Sequence, residues 1–327
     1  MSSAYPDIPY PRSYEFDIRA IEPQLRSGQQ MTPIAFSGLK RIGMDLGLSP
    51  AALALALEAL ELSDRSNGSV SPRDVWQEAV IKYVTVMRAA VRRGTEAKND
   101  LRFLPGDWAF TLASVRSMLG VGWHAFVAAI AVQECNAAHG LISAAPTGGA
   151  SGTLPGTIVA VSDALGLPEE QQIEALLVGG LVGRVAFGRG PVSGAQAGCG
   201  GEIGIAAAMA AGGVTHLLGG SWPEIDAAGA LAATPFIGVE CSPAFGLVEY
   251  PCVPRNGFAT LCAIAAAEAA CAGITPPYSM DYTLDAVFGV GRLLPPSLRE
   301  TEDRDWTQTA RAERHGCTDT SCEKCKH

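Results

Sequence analysis

A chain of 327 residues is long enough for one large domain or two moderate ones, and 48% apolar against 17% charged residues excludes disorder for most of it. Its net charge of -9, with no Lys/Arg run, excludes nucleic acid and anionic membrane as electrostatic partners. The five lysines, Lys40, Lys82, Lys98, Lys324 and Lys326, sit in no motif suited to a pyridoxal-phosphate Schiff base.

Met1–Arg12 carries three prolines and no apolar h-region, so no signal peptide is expected there. Without export, nine cysteines point to a reducing cytoplasm, and to metal or catalysis rather than disulfides. Ser49-Pro50 is an N-cap followed by proline at N1, and Ala51–Glu61 is a run of strong helix formers. Ser71-Pro72 with Asp74 starts a long helix that runs to about Arg93 and stops at Gly94. Pro168-Glu169-Glu170 opens another, which Gly179-Gly180 is expected to close. Pro223 opens a fourth, and Gly257–Ala272 and Met280–Leu294 supply two more. The longest apolar stretches, Ile203–Gly220 and Gly257–Ile274, are built on alanine and carry His216 or Glu268, which suits helices buried in a bundle rather than membrane spans. Period-2 alternation is scarce, so the expected fold is mainly α, a helical bundle with glycine-rich loops. Composition divides the chain into an N-terminal helical region (1–100), a Gly-, Ala- and Pro-rich region packed with it as one domain (101–300), and a polar tail (301–327).

Three motifs carry chemistry. The first is the loop Ala145-Pro146-Thr147-Gly148-Gly149-Ala150-Ser151-Gly152-Thr153-Leu154-Pro155-Gly156, set between two helices. Its small residues let backbone N–H groups converge on an anion such as a substrate carboxylate, and they equally suit a tight interhelical turn. Thr147, Gly148, Gly149, Ser151, Gly152 and Thr153 are the candidate binding residues. The second is Gly198-Cys199-Gly200-Gly201-Glu202-Ile203-Gly204. No Gly-Lys-Ser/Thr follows, as a phosphate loop needs, and the spacing is wrong for a dinucleotide fingerprint. A cysteine embedded in glycines suits a bulky cluster that needs close backbone approach. The third is the Pro- and Gly-interrupted segment Cys241–Cys252, followed by the polar pair Arg255-Asn256, where arginine can hold a carboxylate with two parallel bonds. Cys135, and Cys262 and Cys271 on their alanine-rich helix, read instead as small buried hydrophobes. Spacing alone leaves both readings of Cys199, Cys241 and Cys252 open.

Residues 75–301 resemble the alpha chain, or catalytic domain, of bacterial iron–sulfur L-serine dehydratases. The matching landmarks are Asn136-Ala137-Ala138, the Pro146–Gly156 loop, Ser193-Gly194-Ala195, Gly198-Cys199 with Glu202 and Gly204, Cys241-x-Pro243, Gly246-Leu247-Val248-Glu249-x-Pro251-Cys252, Arg255-Asn256 and Leu298-Arg299-Glu300-Thr301. The resemblance implies a [4Fe-4S] cluster held by Cys199, Cys241 and Cys252, with the fourth iron open to substrate. The chain departs from the family at Gly200-Gly201 (Gln-Ala there), Ser242 (Asp), Phe245 (a small residue) and His139 (usually Met), and the Ser-Ser-His-Thr signature of the companion domain does not occur in it. His139, just before the anion loop, is the candidate base and Ser151 the candidate catalytic hydroxyl. A satisfied core histidine is the plain alternative for His139.

The expected activity is therefore an oxygen-sensitive lyase that eliminates water, and then ammonia, from serine or a related small β-hydroxy acid. The open iron would act as Lewis acid, and the Gly148–Thr153 amides with Arg255 and Asn256 would bind substrate. A cysteine desulfidase or sulfur-transfer enzyme, and an iron–sulfur storage or delivery protein, are the rival readings. The expected partners are a small amino or hydroxy acid and either a second copy or a separate companion chain. In the tail, Cys317, Cys322 and Cys325, with His315 and His327 nearby, suit zinc or a second cluster. Some single-chain members of the family have a tail cysteine that reaches the cluster, which implies that one of these thiols caps the open iron.

Overall fold

The structure, a computed structural model, describes Tyr14 and residues 18–29, 34–66 and 69–300. Met1–Arg12 and the whole of 301–327, with Cys317, Cys322 and Cys325, lie outside the described residues. The fold is mainly α. Among the described residues there is no strand, only an isolated parallel bridge between Cys241 and Arg299.

Helices α1 (Ile18–Gln29), α2 (Phe36–Leu46) and α3 (Pro50–Ser66) come first. Ser49 caps α3 as its sequence predicts, its hydroxyl accepting the Ala52 amide at 3.2 Å. A full capping box opens the next helix: Ser71 Oγ accepts the Asp74 amide at 3.2 Å while the Asp74 carboxylate accepts the Ser71 amide at 2.9 Å. From there α4 (Pro72–Asp74), a π-helical stretch (Val75–Val80) and α5 (Ile81–Glu96) run on as one. Gly94 is not the stop. It lies inside α5, where a Cβ would come 2.5 Å from Ala131 Cα, so it is a contact between helices rather than a terminus.

The short α6 (Trp108–Leu112) leads to α7 (Val121–Ala137), α8 (Thr153–Leu165) and α9 (Glu169–Arg189). Gly179-Gly180 does not close α9, which continues to Arg189. A Cβ at Gly179 would meet Leu154 Cδ1 at 2.9 Å and the Met209 carbonyl at 3.1 Å, so this glycine too serves close packing. Then follow α10 (Gly194–Ala197), a π-helical turn (Gly200–Gly204), α11 (Ile205–Leu217), α12 (Trp222–Ala233), α13 (Cys252–Cys271) and α14 (Met280–Leu293). Helix α11 is the axis of the bundle: Ile205–Thr215 is buried throughout and packs on α8, α9, α12 and α13. Alanine and glycine allow this approach, since a Cβ at Gly213 would sit 2.8 Å from the Ala175 carbonyl. The largest apolar cluster runs from Tyr14 to Phe288 and draws on both the N-terminal helices and the later ones. Asp281 of α14 ties them further by accepting the amides of Phe36 at 2.7 Å and Ser37 at 3.1 Å, the first turn of α2. Among the described residues no single helix is long and apolar enough to cross a membrane; α2 and α3 pass such a test only as a pair bent by 101°.

Candidate functional site

Three chain segments bring the expected cysteines together. Cys199 sits between α10 and the π-helical turn, after Gly198 at φ 67°. Cys241 is held through its backbone: its amide donates to Leu298 O at 2.9 Å and its carbonyl accepts from the Glu300 amide at 2.5 Å. Cys252 opens α13, so the irregular segment predicted to contain it ends one residue earlier. Their exposures are 1%, 4% and 4%. The sulfurs of Cys199 and Cys241 and a carboxylate oxygen of Glu202 all lie within 4.8 Å of one another. Cys252 is outside that trio, yet its field reaches Cys241, and those of Cys199 and Glu202 reach it. Gly194 makes room, since a Cβ there would meet Cys241 Sγ at 2.5 Å and Glu202 Oε2 at 3.0 Å.

The electrostatics are those of an enclosed anionic site. The hydrogen bond with Cys241, together with Arg255, pulls the Cys199 thiol below the usual cysteine range, while the same hydrogen bond and burial push Cys241 up. Burial drives Cys252 up as well. Glu202 is raised by burial, against the hydrogen bond that Thr147 Oγ1 donates to Glu202 Oε1. Two sulfurs and a carboxyl oxygen within reach of one ion, with a third enclosed sulfur nearby, make a donor set suited to zinc or an iron–sulfur group rather than to magnesium or calcium.

The glycine-rich loop lies against this group. A Cβ on Gly149 would come 2.7 Å from Glu202 Oε1, so a side chain here would push the carboxyl aside. Asn256, fully buried in the first turns of α13, organises the loop. Its Oδ1 accepts the amides of Gly152 at 3.1 Å and Thr153 at 3.0 Å, and its Nδ2 donates to Gly149 O at 2.8 Å and Cys252 O at 2.9 Å. From α7, Asn136 Nδ2 donates to Gly148 O at 3.0 Å and Gln133 Nε2 to the same oxygen at 3.3 Å. Ser151 is enclosed, and its hydroxyl donates to Gly148 O at 2.8 Å. Among the described residues, no acceptor takes the amides of Thr147, Gly148 and Gly149.

Arg255, one turn after Cys252 on α13, also reaches the site. Its Nη1 donates to Cys199 Sγ at 3.1 Å and to Glu240 O at 2.8 Å, and its Nη2 to Glu240 Oε1 at 2.5 Å. Burial opposes its charge, but the fields of Cys199 and Glu240 outweigh burial and hold the guanidinium ionised. Glu249, three residues before Cys252, is buried and accepts the amides of Arg102, Phe103 and Leu104 at 2.9, 2.9 and 2.6 Å. That bond set presents Phe103 to Phe245, with ring centres 5.2 Å apart.

The structure thus brings Cys199, Cys241, Cys252, Thr147, Gly148, Gly149, Ser151, Gly152, Thr153, Arg255 and Asn256 into one neighbourhood. His139 stands exposed at φ 57° on the turn after α7, its amide donating to Asn136 O at 3.0 Å. Cys135 is buried as expected, but Cys262 is only partly covered and Cys271 is exposed, because they lie off the stripe of Ala263, Ala266, Ala267 and Ala270 that α13 turns to the core. Three participants were not singled out as site residues in the sequence. Glu202 follows Cys199 by three residues, one helical turn, which puts both on one face. Glu240 immediately precedes Cys241. Gln133 lies one turn before Asn136.

Comparison with known proteins agrees with this arrangement. Residues 35–304 match the family described as "Serine dehydratase alpha chain". The chain is 38% identical over 223 residues to a "Probable L-serine dehydratase, alpha chain" of Bacillus subtilis, covering 67% of this chain and 74% of that one. It is 34% identical over 276 residues to an "L-serine dehydratase" of Streptomyces coelicolor, covering 80% of this chain but 58% of that one. An "L-serine dehydratase" of Mycobacterium bovis is 36% identical over 285 residues, 78% of this chain and 62% of its own length. With residues 35–304 matched and relatives 34–38% identical over most of its length, the chain belongs to the serine dehydratase alpha chain family.

Proposed function

We propose that the chain is the catalytic chain of an oxygen-sensitive, iron–sulfur-dependent L-serine dehydratase, working in the cytoplasm with a companion chain or a second copy of itself. One observation carries the reading: Cys199 and Cys241 converge, enclosed, with buried Cys252 close enough to interact with both, beside a glycine-rich loop with unclaimed amides. The residues fit the group. Three cysteines leave one iron of a [4Fe-4S] cluster without a thiolate. Free thiolates crowded in a buried site are costly, and bound iron compensates their charge. The missing Cβ of Gly194 keeps the Cys241 sulfur uncrowded. Bound there, the cluster would supply Lewis acidity toward a substrate hydroxyl.

The chain's own residues bind and orient the substrate in this reading. The amides of Thr147, Gly148 and Gly149 receive the carboxylate, close to the N-terminus of α8, whose partial positive charge favours an anion. Asn256 and Ser151 hold the loop in its shape rather than reacting. His139, on the turn that enters the loop, is the candidate to take the α-proton. Loss of that proton and of the β-hydroxyl leaves an enamine, which hydrolyses to pyruvate and ammonia. The naming of several relatives for L-serine favours carbon–oxygen over carbon–sulfur cleavage. The name "alpha chain" on the Bacillus relative supports a companion chain.

The test is anaerobic reconstitution followed by incubation with L-serine and assay of pyruvate, with and without a companion chain. The expected result is about four iron atoms per chain and pyruvate release. Cys199→Ser, Cys241→Ser and Cys252→Ser should each lose the brown chromophore. A wild-type chain that takes up a single zinc and no sulfide would overturn the reading.

A further inference from the structure

Arg255 is the cation whose field reaches Cys199, Glu202 and Cys252 alike. Its position is over-determined. Two of its contacts go to a single residue, Glu240, one through the backbone carbonyl and one through the side chain. Because the guanidinium is planar with donors in a fixed fork, those two contacts set its plane. The Nη1 donor that remains shared is then aimed at Cys199 Sγ, 3.1 Å away. Both partners are largely covered, with side-chain exposures of 21% for Arg255 and 27% for Glu240, so the pair works in a weakly screened environment. Lysine, a point charge on a flexible stem, could supply the charge but not the fork.

We propose that Arg255 and Glu240 are a positioning pair for the sulfur of Cys199: Arg255 donates an N–H to the ligand sulfur, and Glu240 fixes the direction of that donor. The proposal rests on the cluster reading above and deepens it. Hydrogen bonds to ligand sulfurs and nearby charge tune the reduction potential of sulfur-ligated iron, and the partners that orient such ligands govern how firmly the metal is kept. A donor and a positive charge at Cys199 favour the electron-richer state of whatever that sulfur binds. Removing them should lower the potential. The role differs from a carboxylate clamp, in which Arg255 would let go of Glu240 and turn to substrate.

The experiment compares anaerobically reconstituted wild type with Arg255→Leu, Arg255→Lys and Glu240→Gln. The readouts are midpoint potential from dye-mediated titration followed by electron paramagnetic resonance, the rate of bleaching in air, and KM for L-serine. Expected are a lower potential and several-fold faster bleaching in Arg255→Leu, and only partial rescue by Arg255→Lys; Glu240→Gln should bleach faster with little net change in potential, because loss of an anion offsets loss of the aimed donor. If Arg255→Leu does not fold or load, the milder Glu240→Gln carries the comparison. Loaded variants with wild-type potential and bleaching would overturn the inference while leaving the cluster reading intact. So would a raised KM in Arg255→Lys at unchanged potential, which would make the residue a clamp. A wild-type chain that loads no cluster would instead overturn the reading on which the inference stands.

Discussion

Asn256→Ala is the substitution that most directly separates the loop from the thiols. The carboxamide serves five partners: the amides of Gly152 and Thr153, the Thr153 hydroxyl, and the carbonyls of Gly149 and Cys252. Some keep alternatives. Thr153 N retains a long contact to Ala150 O at 3.4 Å, and Cys252 O sits in the first turn of α13, where the helix supplies a donor. Gly152 N and Gly149 O are left without a protein partner. A buried unpaired polar group costs about 1–3 kcal/mol; that penalty falls on buried Gly152 N, whereas the part-buried Gly149 O can turn to water, so the substitution costs about 1–3 kcal/mol against a typical total stability of about 5–15 kcal/mol. Urea unfolding of the cluster-free chain, followed by circular dichroism at a common slope, measures the loss. Hydrogen exchange at 147–153 should rise in the same variant, since the loop loses its anchor to α13. A loss below about 0.5 kcal/mol, within the range of ordinary surface changes, would refute the claim that this one side chain holds the loop.

Two further outcomes follow from buried carboxylates. Glu249→Gln replaces an acceptor of three amides by a group that can accept at only one atom, and it should cost about 2–4 kcal/mol given the strength of charge-assisted bonds. Limited proteolysis near Phe103 should quicken with it, and an unchanged cleavage pattern and melting temperature would count against that role. Glu134 is fully buried, and burial raises its carboxyl above the usual range despite the Trp108 and Ala109 amides that it accepts. A raised folded-state value means that the folded chain binds the proton more tightly. The contribution is thus present below the ordinary carboxylate range and is lost as pH rises through the folded value. Glu134→Gln should be relatively more stable than wild type at pH 7 than at pH 4, and a pH-independent difference would contradict this.

What could be read from the sequence divides along a physical line. Signals completed within a few residues were legible. Ser71, Pro72 and Asp74 carry their own capping box, and Ser49-Pro50 its own helix start, so the structure repeats them. Glycines misled, because a glycine that ends a helix and one that lets another helix come close look alike in one dimension. Gly94 and Gly179 are of the second kind, and their meaning lies in Ala131, Leu154 and Met209, distant in the chain. The cysteines stood out by their glycine and proline surroundings and by the family landmarks around them. The Arg255 contact to Cys199 spans 56 residues and had no local mark. Glu202 is likewise an ordinary surface residue type until three dimensions set it between two sulfurs and Thr147.

The strap that holds Cys241, residues 298–300, bears on how the protein is made. A chain leaves the ribosome N-terminal end first at about 5–20 residues per second. Cys199, Cys241 and Cys252 therefore emerge seconds before the segment that pins the second of them. During that interval the thiols are present but Cys241 lacks its backbone partners Leu298 and Glu300. If these sulfurs hold a group as proposed, the order of synthesis makes the reducing power of the surroundings while the chain emerges bear on whether they stay free to bind it.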